Sequence, residues 1–154
     1  MEIERKLAEM GLELPPTPTP GGNYVETVRS GNYLFVAGHV PRKADGEMLH
    51  PGKLGRDVTV EQGYEAAQLV ALNCLSSIKH AIGDLDKVKQ VLKVLCMVNS
   101  ADGFGDQPRV ANGASDLLVN LFGDRGRHTR SAVGMGGLPA NCCVEAEMMV
   151  ELEG

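Results

Sequence analysis

The spacing of apolar residues changes repeatedly along the chain, and each change marks an element. Ile3, Leu7 and Met10 share one stripe, which predicts a short amphipathic helix over 3–10, with Gly11 weakening its end. Residues 15–22, Pro-Pro-Thr-Pro-Thr-Pro-Gly-Gly, cannot join regular structure, because proline removes donors and restricts its neighbours. Tyr24–Arg29 and Tyr33–Ala37 read as two strands of a hairpin turning through Ser30-Gly31-Asn32. Residues 43–57 are polar and carry Gly46, Pro51, Gly52 and Gly55, which predicts a loop.

Thr59 and Gln62 have capping-box spacing. Behind them Val60, Tyr64, Ala67, Ala71, Cys74, Ile78 and Ile82 keep a helical stripe, and Gly83 suits the position just past the helix end. Val88–Val98 is strand-like and apolar on both faces: Leu92, Val94, Cys96 and Val98 on one, Val91, Leu95 and Met97 on the other. That pattern predicts an interior strand covered on both sides. Residues 99–107 form a loop, and Pro108 opens a second long helix reaching about Phe122. Thr129–Met135 is a strand, Gly136–Pro139 a turn, and Cys142–Leu152 the last strand. In that last strand Cys142, Val144, Ala146, Met148, Val150 and Leu152 take one face; Glu145, Glu147, Glu151 and Glu153 dominate the other.

The element order is therefore β-β-α-β-α-β-β after a leading helix. Strand pairs bracketing helices predict an α+β fold: a mixed β-sheet with two helices packed on one face, plus the short N-terminal helix. The length of 154 residues favours one domain spanning 1–154, with 1–22 as helix and proline-rich connector. The uncovered sheet face is not polar throughout, and an oligomer covers it most simply.

Composition narrows the function. The net charge of −5 and few aromatic residues argue against a phosphate-tracking nucleic-acid surface. No apolar run is long enough to span a bilayer. Met1–Leu12 is charged and amphipathic, unlike an export signal, and the four cysteines fit a reducing compartment, so a cytoplasmic location is expected. Cys74, Cys96, Cys142 and Cys143 form no CxxC pair, and His39, His50, His80 and His128 are scattered, so no metal site is expected. The cysteines read as small apolar residues.

The sharpest chemical signal is Arg130. It opens the otherwise uncharged run Arg130-Ser131-Ala132-Val133-Gly134-Met135-Gly136-Gly137-Leu138-Pro139. A guanidinium is costly to desolvate without a partner. Its fork can hold a ligand carboxylate bidentately, while Glu145 nearby can steer a water. The alternatives stay open at this stage: Arg130 in an internal salt bridge to Glu145, and Glu145 as one of several solvated strand glutamates. The pair suggests a site for a small carboxylic acid.

These residues resemble the RidA/YjgF family of reactive-intermediate (enamine/imine) deaminases. The resemblance rests on Asn23-Tyr24-Val25 through Gly31–Pro41, on the helix from Thr59, on the helix bearing Asn112, and on Arg130-Ser131 through Leu138-Pro139 to Val144-Glu145. It implies a chorismate-mutase-like homotrimer with ligand clefts at subunit interfaces and no cofactor. It also implies roles: Arg130 for the substrate carboxylate, Glu145 for positioning water, Tyr24 at the cleft, Gly38 and Ala132 as main-chain contributors, and Asn112 from the neighbouring helix. The implied reaction is hydrolysis of 2-aminoacrylate-like enamines and 2-imino acids to 2-keto acids and ammonia. A non-catalytic trimeric module binding small carboxylates is the alternative on the same fold. His39 stands where the family often has glutamine, and His128 stands two before the arginine where it has a small residue or proline. The leading helix and the 43–57 and 99–107 loops look like additions, which mark a divergent branch.

Overall fold

A computed structural model describes residues 1–154. The elements are α1 (Glu2–Glu9), β1 (Thr27–Ser30), β2 (Tyr33–His39), α2 (Val60–Ile82), β3 (Val88–Asn99), α3 (Gln107–Phe122), β4 (Thr129–Met135) and β5 (Val144–Leu152). The five strands form one sheet in the order β1-β2-β5-β3-β4. All neighbours are antiparallel except β3 and β4, which run parallel across the α3 crossover. The sheet is mixed, α2 and α3 lie side by side on one face, and the fold is α+β, as the patterning predicts.

Local sequence sets the helix boundaries. Thr59 caps α2 with the full reciprocal box: Gln62 N–H donates to Thr59 Oγ1 at 3.1 Å, and Thr59 N–H donates to Gln62 Oε1 at 3.0 Å. Gly83, at φ +85°, ends that helix where a side chain would be strained. The two helices approach closely at Gly113: a Cβ there would lie 2.0 Å from the Tyr64 carbonyl oxygen. The sheet and helices enclose one cluster of 33 buried residues, rich in Val, Leu and Ala. Fully burying each Val or Leu contributes roughly 1.5–3 kcal/mol.

Two strand readings shift. Tyr24 precedes β1 rather than lying in it, and the last strand begins at Val144 after a 3-10 turn over Pro139–Asn141. In β3 a register irregularity between Val91 and Lys93 swaps the faces midway. Val91 is therefore buried against the helices and Leu92 is not, whereas Val94, Cys96 and Val98 keep their expected face. The alternation in β5 holds: Val144, Ala146, Met148, Val150 and Leu152 are buried, and the glutamates face away from the helices. That open face carries Tyr33, Phe35 and Val133, all exposed.

The leading helix and the connector are packed onto the core. Ile3 and Leu7 of α1 are buried in the common core. Asp86 anchors the helix start, accepting from Glu2 N–H at 2.9 Å, from Ile3 N–H at 3.0 Å and from the Met1 ammonium. These donors hold its carboxyl down at a pKa of about 2. The proline-rich connector returns across α2, where Ser76 Oγ donates to the Pro15 carbonyl at 2.7 Å.

Candidate functional site

Arg130 lies on edge strand β4, level with Val94 of β3. Val94 is fully buried under the helices, so Arg130 shares the helix-facing side of the sheet. There it meets α3. Its Nη1 donates to Asn112 Oδ1 at 2.8 Å and to Ser115 Oγ at 3.1 Å. Ser115 Oγ lies 2.8 Å from His128 Nε2, and His128 Nδ1 lies 2.7 Å from the Gly126 carbonyl. A carbonyl only accepts, so Nδ1 carries the proton and Nε2 accepts from the Ser115 hydroxyl. Burial lowers the His128 pKa, and the charge of Arg130 lowers it further, which favours this neutral ring. The relay fixes the guanidinium without neutralising it. No carboxylate forms an ion pair with the half-buried Arg130, and its Nε and Nη2 make no hydrogen bond within the chain. An oriented, unpaired guanidinium with free donors has the chemistry to receive an anion. Ala132, two residues on, faces the same side.

Glu145 lies on the opposite face. It is level with Met97 of β3, one step out of phase with the buried Val98 and Cys96. The internal Arg130–Glu145 salt bridge is therefore ruled out within one chain: the sheet stands between the two groups. Glu145 is half-buried, and its pKa is raised first by desolvation and then by Glu147. The β2 strand makes room for it. A register shift between Val36 and His39 places Gly38 against the carboxylate, where an added Cβ would lie 2.3 Å from Glu145 Oε2. Only glycine permits that approach.

Gly38 and Glu145 open onto a cleft of about 460 Å³. Tyr24, which is 53% exposed, stands at this cleft, and its hydroxyl accepts from Gly21 N–H at 3.2 Å. The Pro15–Thr19 stretch forms one wall; Arg42 and Lys43 lie on another. The six expected site residues thus fall into two groups. Tyr24, Gly38 and Glu145 gather at the cleft; Arg130, Asn112 and Ala132 gather on the far side of the sheet near its β4 edge.

Several contributors were missed in the sequence. Ser115 follows Asn112 by three residues on α3, so helical spacing alone could have paired it with the same target. Glu26 also lines the cleft, beside the His39 that the sequence had singled out, and their contact depends on the hairpin register. Nothing in the composition of the connector signalled that it would wall a cleft. Glu4, Asp84 and Asp86 bring carboxylate oxygens within 4.8 Å of one another, but Asp86 already serves as the anchor of α1. No helix is long and apolar enough to cross a membrane.

A five-stranded mixed sheet backed by two helices, with an unpaired arginine at its edge and a glutamate in a cleft on its other face, is the chorismate-mutase-like α+β fold. The profile of the family described as "YjgF/chorismate mutase-like, putative endoribonuclease" matches residues 4–152, and the chain belongs to that family. Among relatives, Protein TCP17 of Trypanosoma cruzi is 43% identical over 151 residues, covering 97% of this chain and 94% of its own. The crystal structure of the protein Atu1372 from Agrobacterium tumefaciens, of unknown function, superposes with a TM-score of 0.91 at 42% identity, covering 99% of this chain and 93% of that one. A 2-iminobutanoate/2-iminopropanoate deaminase of Dermatophagoides farinae is 27% identical over 142 residues, covering 92% of this chain and 95% of its own.

Proposed function

We propose that the protein hydrolyses small 2-imino acids, and the enamines that tautomerise to them, to 2-keto acids and ammonia. We place the site between subunits of a homotrimer. The observation that carries this reading is the state of Arg130: half-buried, held by neutral oxygens, and without a counter-charge in its own chain. Such a group fits a ligand carboxylate. The split across the sheet supports the shared site. The β4 edge of one subunit would supply Arg130, Asn112 and Ala132, and the cleft of its neighbour would supply Tyr24, Gly38 and Glu145. The exposed Tyr33, Phe35 and Val133 give the open face apolar surface for subunit contact.

In this reading the ligand carboxylate sits on the Arg130 fork, with Asn112 and Ser115 keeping the guanidinium planar to it. The neighbouring Glu145 carboxylate takes a proton from water as its oxygen attacks the imine carbon. The C–N π pair moves to nitrogen, which takes that proton from Glu145 to give a neutral carbinolamine; the carbinolamine hydroxyl proton then passes by way of the same carboxylate to nitrogen as the C–N bond breaks and the C=O forms, releasing the keto acid and ammonia. Orientation and fixed charge supply the acceleration. The deaminase relative supports the reaction class at the family level. The chain's own residues require no metal or organic cofactor for these steps.

The test is release of ammonia and keto acid when the purified protein meets 2-aminoacrylate or imino acids generated in situ. Acceleration is expected, and Arg130→Ala should abolish both turnover and carboxylate binding. Glu145→Gln should spare binding and cut turnover. No acceleration with any imino acid would overturn the enzyme reading and leave a carboxylate-binding module.

A further inference from the structure

The cleft that holds Glu145 also holds a guanidinium. Arg42 and Lys43 line one of its walls. The segment that carries Arg42 is held from α2. There the buried amide of Asn73 donates to the Val40 carbonyl at 2.9 Å and to the Arg42 carbonyl at 3.1 Å. The Arg42 N–H donates to the Val40 carbonyl at 2.8 Å, which bends the chain as it leaves β2. The side chain is steered as well, because its Nη1 donates to the Gly46 carbonyl at 2.7 Å. Its Nε and Nη2 make no hydrogen bond within the chain, and no carboxylate pairs with it. The two carboxylates of the cleft are engaged elsewhere: Glu26 lies 3.2 Å from His39, and Glu145 lies against Gly38. Lys43 differs, since its ammonium lies 3.9 Å from Asp45. Arg42 is thus in the condition of Arg130: charged, oriented by a neutral oxygen, and with free donors. It is the more exposed of the two, so water satisfies those donors until a ligand enters.

We propose that Arg42 receives a second carboxylate of the substrate, so that the cleft takes short dicarboxylic 2-imino acids, or the matching enamines, in preference to monocarboxylic ones. The reaction rests on the imine-hydrolysis reading; the anion subsite rests on Arg42 alone. The spacing fits. Arg42 follows Gly38 by four residues, at most about 13–14 Å of extended chain. The bend at Val40 shortens that span, and the arginine side chain is long and flexible. A substrate only a few carbons long can therefore have its imine carbon beside Glu145 and its far carboxylate on Arg42. The space fits as well. The cleft's volume of about 460 Å³ lies within the range of about 300–1,000 Å³ that holds whole small molecules. A three-carbon imino acid would leave most of it to water.

The roles then divide. Arg130 of the neighbouring subunit takes the carboxylate next to the imine carbon, Arg42 takes the far one, and Glu145 works between them. The hydrolysis itself is unchanged; Arg42 sets which substrate is held for it. Two other substrates compete for the same space. An aliphatic imino acid would lodge against the connector prolines, and a basic one would turn toward Glu26.

The test uses imino acids generated in situ from aspartate, glutamate, alanine, leucine and lysine by amino-acid oxidases, with keto-acid release read against the uncatalysed rate. The better of 2-iminosuccinate and 2-iminoglutarate is expected to show a kcat/KM at least about tenfold above that of 2-iminopropanoate. Arg42→Gln should lower this dicarboxylate-to-monocarboxylate ratio about 10- to 100-fold, mostly through KM, and Arg42→Lys should restore part of it. Lys43→Gln should move the ratio less. A preference for the leucine or lysine product, a ratio unmoved by Arg42→Gln, or a larger effect from Lys43→Gln overturns the subsite and leaves hydrolysis at Glu145 standing. If no imino acid is accelerated, the hydrolysis reading falls and equilibrium binding decides the subsite. Succinate should then bind more tightly than propionate, and Arg42→Gln should erase the difference; equal binding of the two by the wild type overturns it.

Discussion

Gly38→Ala tests the placement of Glu145 with a single methyl group. Gly38 is outside the positive-φ region, so alanine meets no backbone strain there. Its Cβ would lie 2.3 Å from Glu145 Oε2 and 3.3 Å from Cδ, whereas ordinary contact begins at 3.4 Å. The carboxylate must therefore retreat by about 1 Å, and it can, because it is the end of a flexible side chain. An off-rotamer side chain costs about 0.5–1.5 kcal/mol. For a chain of this size that lowers Tm by only a few degrees, about 2–4 °C per kcal/mol. A 1 Å misplacement of a reacting group, by contrast, costs on the order of 10²-fold in rate. The assay is kcat and KM for an imino acid, alongside thermal melting and binding of an unreactive carboxylate. Turnover should fall about 10²-fold while carboxylate affinity, which the proposal assigns to Arg130 of the neighbouring subunit, holds. Gly105→Ala is the control, since nothing lies within 4 Å of a Cβ there. Undiminished kcat in Gly38→Ala would refute the assignment of Glu145 to water.

Burial raises the Glu145 pKa on folding, so the folded chain favours the neutral acid. That contribution is fully present below the ordinary glutamate value of about 4.3 and is lost as pH rises through the raised one. Glu145→Gln should thus melt above wild type at pH 7, with the gap closing as pH falls toward about 4; a lower Tm at pH 7 would contradict this. Burial pushes the thiols up, Cys142 to about 11 and Cys96 and Cys143 to about 12. Maleimide at pH 7.5 (about one unit below a free thiol's pKa) should label none of the four cysteines until the chain is unfolded, and rapid native labelling would show that they are not enclosed. Gly113→Ala should cost at least about 1–3 kcal/mol by forcing α2 and α3 apart, read by denaturant melting, with loss of folding at the extreme.

Most of the fold was legible because its signals are local. The Thr59/Gln62 box and Gly83 fix α2, and strict alternation fixes β5. Where the reading slipped, a non-local cause intervened. The face swap of Leu92 comes from a bulge that only the pairing with β5 reveals. Tyr24 looked like a strand residue because its type favours sheets, but the hairpin pairs only from Thr27 onward. For the candidate site, the sequence names residues but not their geometry. Parity along β4 and β5 tells which face each residue takes only relative to its own strand. That Arg130 and Glu145 oppose each other depends on the register of β3 between them. The contacts of His128 with Ser115 and of Glu26 with His39 cross loops and turns, and no spacing along the chain specifies them.

The claim that Arg130 of one subunit works with Glu145 of another is most directly tested by mixing inactive subunits. Arg130→Ala and Glu145→Gln chains are co-refolded in equal amounts, and imino-acid turnover is compared with each variant alone and with wild type. A site shared between subunits is intact when an Arg130-bearing chain meets a Glu145-bearing neighbour, which random assembly gives in about one quarter of sites. The account predicts recovery to about one quarter of wild-type activity. A mixture no more active than its separate components would contradict it, because sites confined to one chain cannot be repaired by a neighbour.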